Sequence, residues 1–530
     1  MTRREWAGHS FRWDERLARQ AYLDGHWVRT TLAHALQQEA RRAPDRALII
    51  EGDVLVTAAE LERRASALAG YLANRFAPGS VVSFMLPNWH EAAVIYLAAT
   101  LAGLVAHPVL PSLRAHDLRF MLADVHSRVL FMPASYRGYD YVGMLESVCE
   151  RLEQPPEVVV LRGDSGPFTA FAEVASGQPL SAAGLPEVDP DSVRMIMYTS
   201  GTTGSPKGVM HSHNSIHALI RQIGQHWRID RHDRFLVASP ISHIGGSIYA
   251  FECPLLLGTT AVLMEGWEPD QAVEQMLAHG CTHFAGATPF LTGMLAAARR
   301  ANTRLPDLKV FICGGASVPP SLIREAVGYF ENAAVTRVYG STEVPVTTVG
   351  VPDRDDVQHA AETDGAAGIA DIKLVDGRVW ARGPQMLVGY VHAGDESDVF
   401  DEEGYYHTGD IAQWCDEQYL VIGGRSKDII IRNGENIAPK EIEDLLLAEP
   451  EIAEIAIVGL PDPRTGERAC AVIVPAGGAS PDLHGIIAML TGHGVAKFKF
   501  PEQIELWSAL PKNDAGKVLK HRIRDQLLRQ

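Results

Sequence analysis

Short apolar runs alternate with stretches in which apolar residues recur at helical spacing, and this alternation runs through residues 46–190. Thr57-Ala58-Ala59-Glu60 reads as a capping box, with Leu61, Leu68 and Leu72 following on one helical face. Val81 to Leu86 predicts a strand ended by Pro87-Asn88, Ala92 to Leu101 a helix, and Val105 to Leu110 the next strand. Alternation of this kind predicts a parallel sheet covered by helices, because each strand must be carried back by a crossover. Residues 164–190, rich in Ser, Gly and Pro, predict a surface connection. Further along, Met195-Ile196-Met197 and Phe235 to Ala238 read as buried strands.

The pattern changes at residue 371. Asp371 to Val375 and Arg378 to Arg382 alternate in and out, as antiparallel strands with one wet face do. A separate unit follows residue 426. Pro439 opens a helix with acids in its first turn and Ile442, Leu445 and Leu446 on one face. Ile455 to Val458 and Ala471 to Val474 read as strands, and Leu483, Ile486, Ile487 and Leu490 mark another helix.

At 530 residues the chain exceeds one ordinary domain. The most hydrophobic stretch, Ala92 to Pro111, carries Gly103, His107 and Pro108, so it predicts a buried helix and strand, not a membrane span. An excess of 65 acids over 48 Lys and Arg gives a net charge of −17, which argues against nucleic acid or an anionic membrane as the main partner. The six cysteines, Cys149, Cys253, Cys281, Cys313, Cys415 and Cys470, show no paired spacing, which predicts free thiols in a reducing compartment. The first residues run into charges without a signal-peptide core, so a cytoplasmic protein is expected.

Against that acidic background one stretch concentrates anion-binding chemistry. Tyr198 to Val209 reads YTSGTTGSPKGV and follows the apolar run at 195–197. Gly201, Gly204 and Gly208 let backbone N–H groups converge on one point, Thr199, Ser200, Thr202 and Thr203 add hydroxyl donors, and Lys207 adds a compact charge. The spacing is not that of a Walker A loop, since Lys207 is followed by Gly208.

The string resembles the phosphate-loop signature of the adenylate-forming superfamily: acyl-CoA synthetases, peptide-synthetase adenylation domains and firefly luciferase. Four further stretches match in the family's order: Val338-Tyr339-Gly340-Ser341-Thr342-Glu343, Tyr406-His407-Thr408-Gly409-Asp410, Gly423-Gly424-Arg425-Ser426-Lys427-Asp428 and Pro511-Lys512-Asn513-Asp514-Ala515-Gly516-Lys517. Taken singly, each is also what a solvated turn or a charged tail would look like.

The resemblance implies a fold: a large α/β domain (residues 1–425) with layered sheets and a small β-barrel, then a small mobile α+β domain (residues 426–530) hinged near Lys427. It also implies roles. Thr199, Ser200, Gly201, Thr202, Thr203 and Lys207 would cradle phosphates, while Gly315, Ala316, Ser317, Tyr339, Gly340 and Ser341 would line the nucleotide. Tyr339 would stack on adenine, with Thr342 near the α-phosphate. Glu343 would hold Mg2+, because both reactants are anions and a metal lowers their repulsion. Asp410 would accept the ribose hydroxyls, with Arg425 beside it. Lys517 would bridge the substrate carboxylate and the α-phosphate. His243, Gly286, Ala287, Gly314 and Gly340 would line the acyl pocket, whose small residues suit an uncharged, medium-sized group. Gly434, Glu435 and Asn436 would line the CoA tunnel.

Three departures from the family pattern stand out. Ile244 follows His243 where aryl-acid-activating relatives carry Asn, and Gly377-Arg378 replaces a usual Gly-Glu pair. Asn433 stands where relatives often have Gly. The expected activity is an ATP-, Mg2+- and CoA-dependent ligase of medium-chain or alicyclic carboxylic acids, acting as monomer or homodimer. Two alternatives stay open: loading of a carrier-protein thiol, and nucleotide binding without catalysis.

Overall fold

The structure is a computed structural model that describes residues 2–177, 179, 184, 186–199, 206–315, 318–433, 435–513 and 516–529. Ser200, Gly201, Thr202, Thr203, Ala316, Ser317 and Gly434, all assigned roles from sequence, lie outside the described residues, and of Asn436 only the backbone is described.

Two large sheets form the body of the protein. One has seven strands, ordered Ala334–Val338, Val310–Gly314, His283–Gly286, Arg234–Val237, Thr260–Leu263, Ala47–Glu51 and Val54–Thr57. All neighbours in it are parallel except the last pair. The other has eight strands, with Val105–Pro108, Val193–Thr199, Lys207–Ser212 and Gly389–Tyr390 in succession at one end. Its parallel part turns antiparallel where Val193–Thr199 meets Lys207–Ser212, with Thr199 paired to Lys207.

The helix His90–Leu101 lies in the core that joins the two sheets. Every residue from Ala92 to Leu101 is buried, and its cluster includes Val82 and Phe84 of one sheet with Phe235 and Leu263 of the other. That explains the chain's most apolar stretch: a helix covered on all sides needs no polar stripe. Among the described residues, no helix is long and apolar enough to cross a membrane.

The capping box forms by half. Thr57 Oγ1 accepts from Glu60 N at 3.3 Å, but the Glu60 carboxylate pairs with Arg63 and Arg64. Part of the expected surface connection is ordered structure, since Thr169–Ala170 adds an edge strand and Phe171–Ala175 a helical turn. All six cysteines are free thiols, four of them buried.

The expected small barrel takes the form of a four-stranded antiparallel sheet, in the order Asp371–Val375, Arg378–Arg382, Tyr406–Cys415 and Tyr419–Arg425. From it the chain passes through a short turn, Ser426–Asp428, into the last sheet. That sheet is built on the long hairpin Ile452–Asp462 with Gly466–Pro475, and it closes its own core around Ile442, Leu446, Ile457, Ile473 and Leu490. The helix Pro439–Leu446 belongs to this small unit, and its Lys440 Nζ donates to Ile422 O across the junction at 2.7 Å.

Candidate active site

Two signature segments leave the carboxyl ends of strands, after Val193–Thr199 and after Ala334–Val338, where open α/β sheets place ligand sites. Thr199 ends one strand and Lys207 begins its antiparallel neighbour, so both flank the phosphate loop. Lys207 Nζ lies 5.5 Å from the centre of the Tyr390 ring.

The segment after Ala334–Val338 makes a tight turn. Ser341 N donates to Val344 O at 3.2 Å and Val344 N returns a bond to Ser341 Oγ at 3.1 Å. A Cβ on Gly340 would lie 2.6 Å from Val346 N, so only glycine lets the turn close. The turn presents Thr342 and Glu343. His211 holds it from beneath, its Nε2 2.7 Å from Thr342 O and its Nδ1 3.1 Å from Ser215 Oγ. Burial pushes the His211 pKa down to about 4, so the ring is neutral and Nε2 carries the proton donated to the carbonyl. Tyr390 Oη donates to Glu343 Oε1 at 3.1 Å, and Tyr406 Oη lies 3.0 Å from Tyr390 Oη. One carboxylate with hydroxyl neighbours fits a Mg2+ ion that takes its remaining ligands from phosphate and water.

Opposite this turn stands a second charged group. Asp410 is buried on Tyr406–Cys415, directly across from Arg425 of the next strand. Arg425 Nε meets Asp410 Oδ1 at 2.8 Å, and Tyr339 Oη donates to Asp410 Oδ2 at 2.6 Å. Burial opposes the Arg425 charge most, but Asp410, Tyr339, Glu343 and Tyr406 together outweigh it and hold the Arg425 pKa above the ordinary value. Each Asp410 oxygen has spent one lone pair and keeps another for a ligand hydroxyl.

Lys517 of the small unit reaches this same pair. Its loop is closed by Asn513, which accepts from Lys517 N through Oδ1 at 2.8 Å and donates through its own N to Lys517 O at 2.9 Å. Gly516 takes φ +79 and its Cβ position lies 3.0 Å from Pro289 Cγ, so the loop rests on the start of the helix Thr288–Arg300. Lys517 is exposed to solvent. Even so, desolvation by the protein around it is the first cause that lowers its pKa, Arg425 and Lys427 lower it further, and Asp410 and Asp428 pull the other way. The cation is held where desolvation, set against two neighbouring cations and two neighbouring acids, disfavours its charge.

The remaining sequence-predicted positions spread around this cleft. His243 caps the short helix Ile244–Ser247, whose entry loop is pinned by Asn88: its Nδ2 donates to Val237 O and Ser239 O, and its Oδ1 accepts from Ile241 N. At Gly286 a Cβ would lie within 3.0 Å of Phe284 and Phe290, and the Trp267 ring packs tilted against Phe290 with centroids 4.7 Å apart. At Gly314 a Cβ would lie 2.7 Å from Val338 O. These two glycines therefore serve close packing and leave an aromatic wall, and Ala287 is buried beside it. Gly315 has φ +79 with open space where a side chain would stand. Lys427 is exposed in the linking turn. Glu435 is exposed on the hairpin of Ile430–Arg432 with Glu435–Ile437. Asn433 takes φ +52 there, a left-handed conformation that Asn tolerates better than most residues, which accounts for its standing in a glycine's place.

Sequence reasoning missed Tyr390, His211, Asn88 and Lys440. Their partners lie far along the chain, and only the pair Gly389-Tyr390 between apolar neighbours hinted at a buried tyrosine worth testing.

Fold and site together define an α/β protein with a large unit and a small C-terminal unit whose Lys517 lies near Asp410 and Arg425 of the large one. Residues 36–391 match the AMP-binding enzyme family, and residues 441–517 match the C-terminal domain of those enzymes. The chain is 33% identical to a medium-chain fatty-acid–CoA ligase of Escherichia coli, covering 97% of this chain and 93% of that one. It is 28% identical to a mitochondrial medium-chain acyl-CoA ligase of Mus musculus, over 96% and 89% of the two. Among solved structures it is similar to ATP-bound MatB from Rhodopseudomonas palustris, with TM-score 0.82, 26% identity and coverage of 94% and 99%. The chain belongs to the AMP-binding enzyme family and is an adenylate-forming acid–CoA ligase.

Proposed function

We propose that this enzyme joins a medium-sized apolar acid, medium-chain or alicyclic, to the thiol of CoA through an acyl-adenylate, with ATP as the source of the adenylyl group. The observation that supports this best is the placement of Lys517 near the Asp410–Arg425 pair, a cation of lowered pKa with no ion-pair partner among the described residues.

In the first half-reaction a carboxylate oxygen of the acid attacks the α-phosphorus, and the bond from that phosphorus to the pyrophosphate oxygen breaks. Asp410 accepts the ribose hydroxyls and the Tyr339 ring backs the adenine, with Gly315, Ala316 and Ser317 assigned to the nucleotide by resemblance. Thr199 to Thr203 and Lys207 hold the phosphates. Glu343 would hold Mg2+, which would supply charge neutralisation between the two anions. Lys517 Nζ lies between carboxylate and α-phosphate as negative charge accumulates, and a fixed cation there acts only once the charge develops.

In the second half-reaction the CoA sulfur attacks the acyl carbon, the bond to AMP breaks, and the thiol proton leaves to solvent. The small unit turns about Lys427, withdrawing Lys517 and bringing Gly434, Glu435 and Asn436 to the cleft. The aromatic wall of Phe284, Phe290 and Trp267 supports an apolar acyl group, with His243 at the pocket mouth.

The test is acid-dependent exchange of pyrophosphate into ATP, followed by AMP release with CoA over a series of straight-chain and alicyclic acids. Exchange with AMP release only after a carrier protein is added would move the acceptor from CoA to that carrier. No exchange with any acid would overturn the reading.

A further inference from the structure

The two ends of the phosphate loop are tied to one short segment. Tyr198 Oη donates to Asp124, whose other oxygen lies 2.6 Å from His392 Nε2. Lys207 Nζ lies 3.3 Å from Asp395 Oδ1. Both anchors belong to residues 392–396, the turn that leaves the strand Gly389–Tyr390. That strand is itself paired to the one Lys207 begins, through Val209 and Tyr390.

The two acids of this turn are treated differently. Glu396 is held by Arg3 at 2.7 Å and Arg12 at 3.5 Å, and its Oε1 accepts from Tyr390 N at 3.1 Å. It is an anchor, neutralised by a pair of arginines that take no part in the cleft. Asp395 has the phosphate-loop lysine for its cation instead, and both partners are mostly buried, at 17% and 28% side-chain exposure. An acid placed on the cation meant for a polyphosphate works against that polyphosphate. Even where the lysine's three donors allow it to bridge both, the carboxylate and the phosphate repel at short range.

We propose that Asp395 is an internal counter-anion for Lys207, which holds the lysine oriented between turnovers and weakens its grip on phosphate, so that pyrophosphate leaves readily after adenylation. The inference rests on reading Lys207 as a phosphate ligand. Asp395 is thus a positioning residue: it touches no substrate and acts through the lysine.

The experiment measures binding of inorganic pyrophosphate with Mg2+ to the full chain by calorimetry, with no turnover required. Asp395→Asn keeps the side chain's shape and removes its charge; it should tighten pyrophosphate binding by roughly two- to fivefold, the range of one partly exposed ion pair. In exchange assays pyrophosphate should become a correspondingly stronger product inhibitor. Asp398→Asn removes the same charge from an exposed position nearby and should leave binding unchanged. Unchanged or weaker binding in Asp395→Asn overturns the proposal, as does equal tightening in Asp398→Asn, which would assign the effect to net charge. Lys207→Met separates the two levels of inference. Loss of pyrophosphate binding upholds the phosphate-loop reading whatever Asp395→Asn does, whereas intact binding overturns both.

Discussion

Two lysines of the small unit cross to two buried aspartates of the large one, and the two meetings differ. At the first, Lys440 Nζ stands 3.8 Å from Asp364 and donates to Ile422 O. Asp364 is already saturated: Arg337 meets its Oδ1 at 2.7 Å and Ile422 N donates to its Oδ2 at 2.8 Å. Burial would raise the Asp364 pKa, but Lys440 and Arg337 outweigh it and the value is lowered. At the second, Lys517 reaches Asp410, which is shared between Arg425 and Tyr339, and the lysine's pKa is the one that falls. Each meeting sets two cations against one aspartate, so the difference lies in which partner is perturbed. At the first, Lys440 is latched to a carbonyl and the aspartate's pKa falls. At the second the lysine's pKa falls, as it does in a site that receives an anion.

The largest effect should come from the poised side. Lys517→Ala should lower adenylation by about 10²- to 10³-fold, as loss of one fixed transition-state charge does, while sparing thioester formation from supplied acyl-adenylate. Pyrophosphate exchange and AMP release measured separately would show it, and equal loss in both halves would remove the assignment.

On the latched side the strongest change is in stability. Asp364→Asn leaves Arg337 buried without its counter-charge, which should cost about 3–5 kcal/mol in urea unfolding. Because the folded Asp364 pKa lies below the ordinary 3.8, its contribution is complete above that value and fades as pH falls through it toward the lowered one. The variant should therefore lose less additional stability on acidification than the parent. A parallel fall in both would mean that Asp364 is not the titrating group.

Lys440→Met tests whether the latch sets the position of the small unit. Removing its bond to Ile422 O should destabilise this arrangement by about 1 kcal/mol, slowing adenylation a few-fold and leaving the thioester step equal or faster. Slowing of both steps together would make Lys440 a general stability residue.

The smallest effect is a shift along the pH axis. Adenylation needs the Lys517 ammonium, so its alkaline limb should set in below the ordinary lysine value of 10.5. The thioester step, which does not use that charge, should lack the limb. An identical limb in both half-reactions would assign it elsewhere.

The signature stretches were legible because their chemistry is local. A loop that must bend tightly and donate to phosphate needs its glycines, hydroxyls and lysine at short spacing, and Tyr198 to Val209 shows all of them in one string. Strands and helices from Val81 to Pro108 were legible for the same reason, since periodicity is a property of neighbours. Glu343, Asp410 and Lys517 could be nominated one at a time, through resemblance.

What folding alone decided is which of these residues meet. Tyr390 joins Lys207 to Glu343, His211 supports Thr342 across 131 positions, and Lys440 finds Asp364 on the far side of the junction. None of these pairings leaves a trace in local pattern, because each follows from which strand lies beside which and how the small unit rests on the large one. The sequence alone determined most of the elements and the class of reaction, and nominated candidate site residues. The tertiary structure decided the partners, and with them which ionisable groups have their pKa lowered or raised, since a charge's effect depends on distance and burial, and neither is written along the chain.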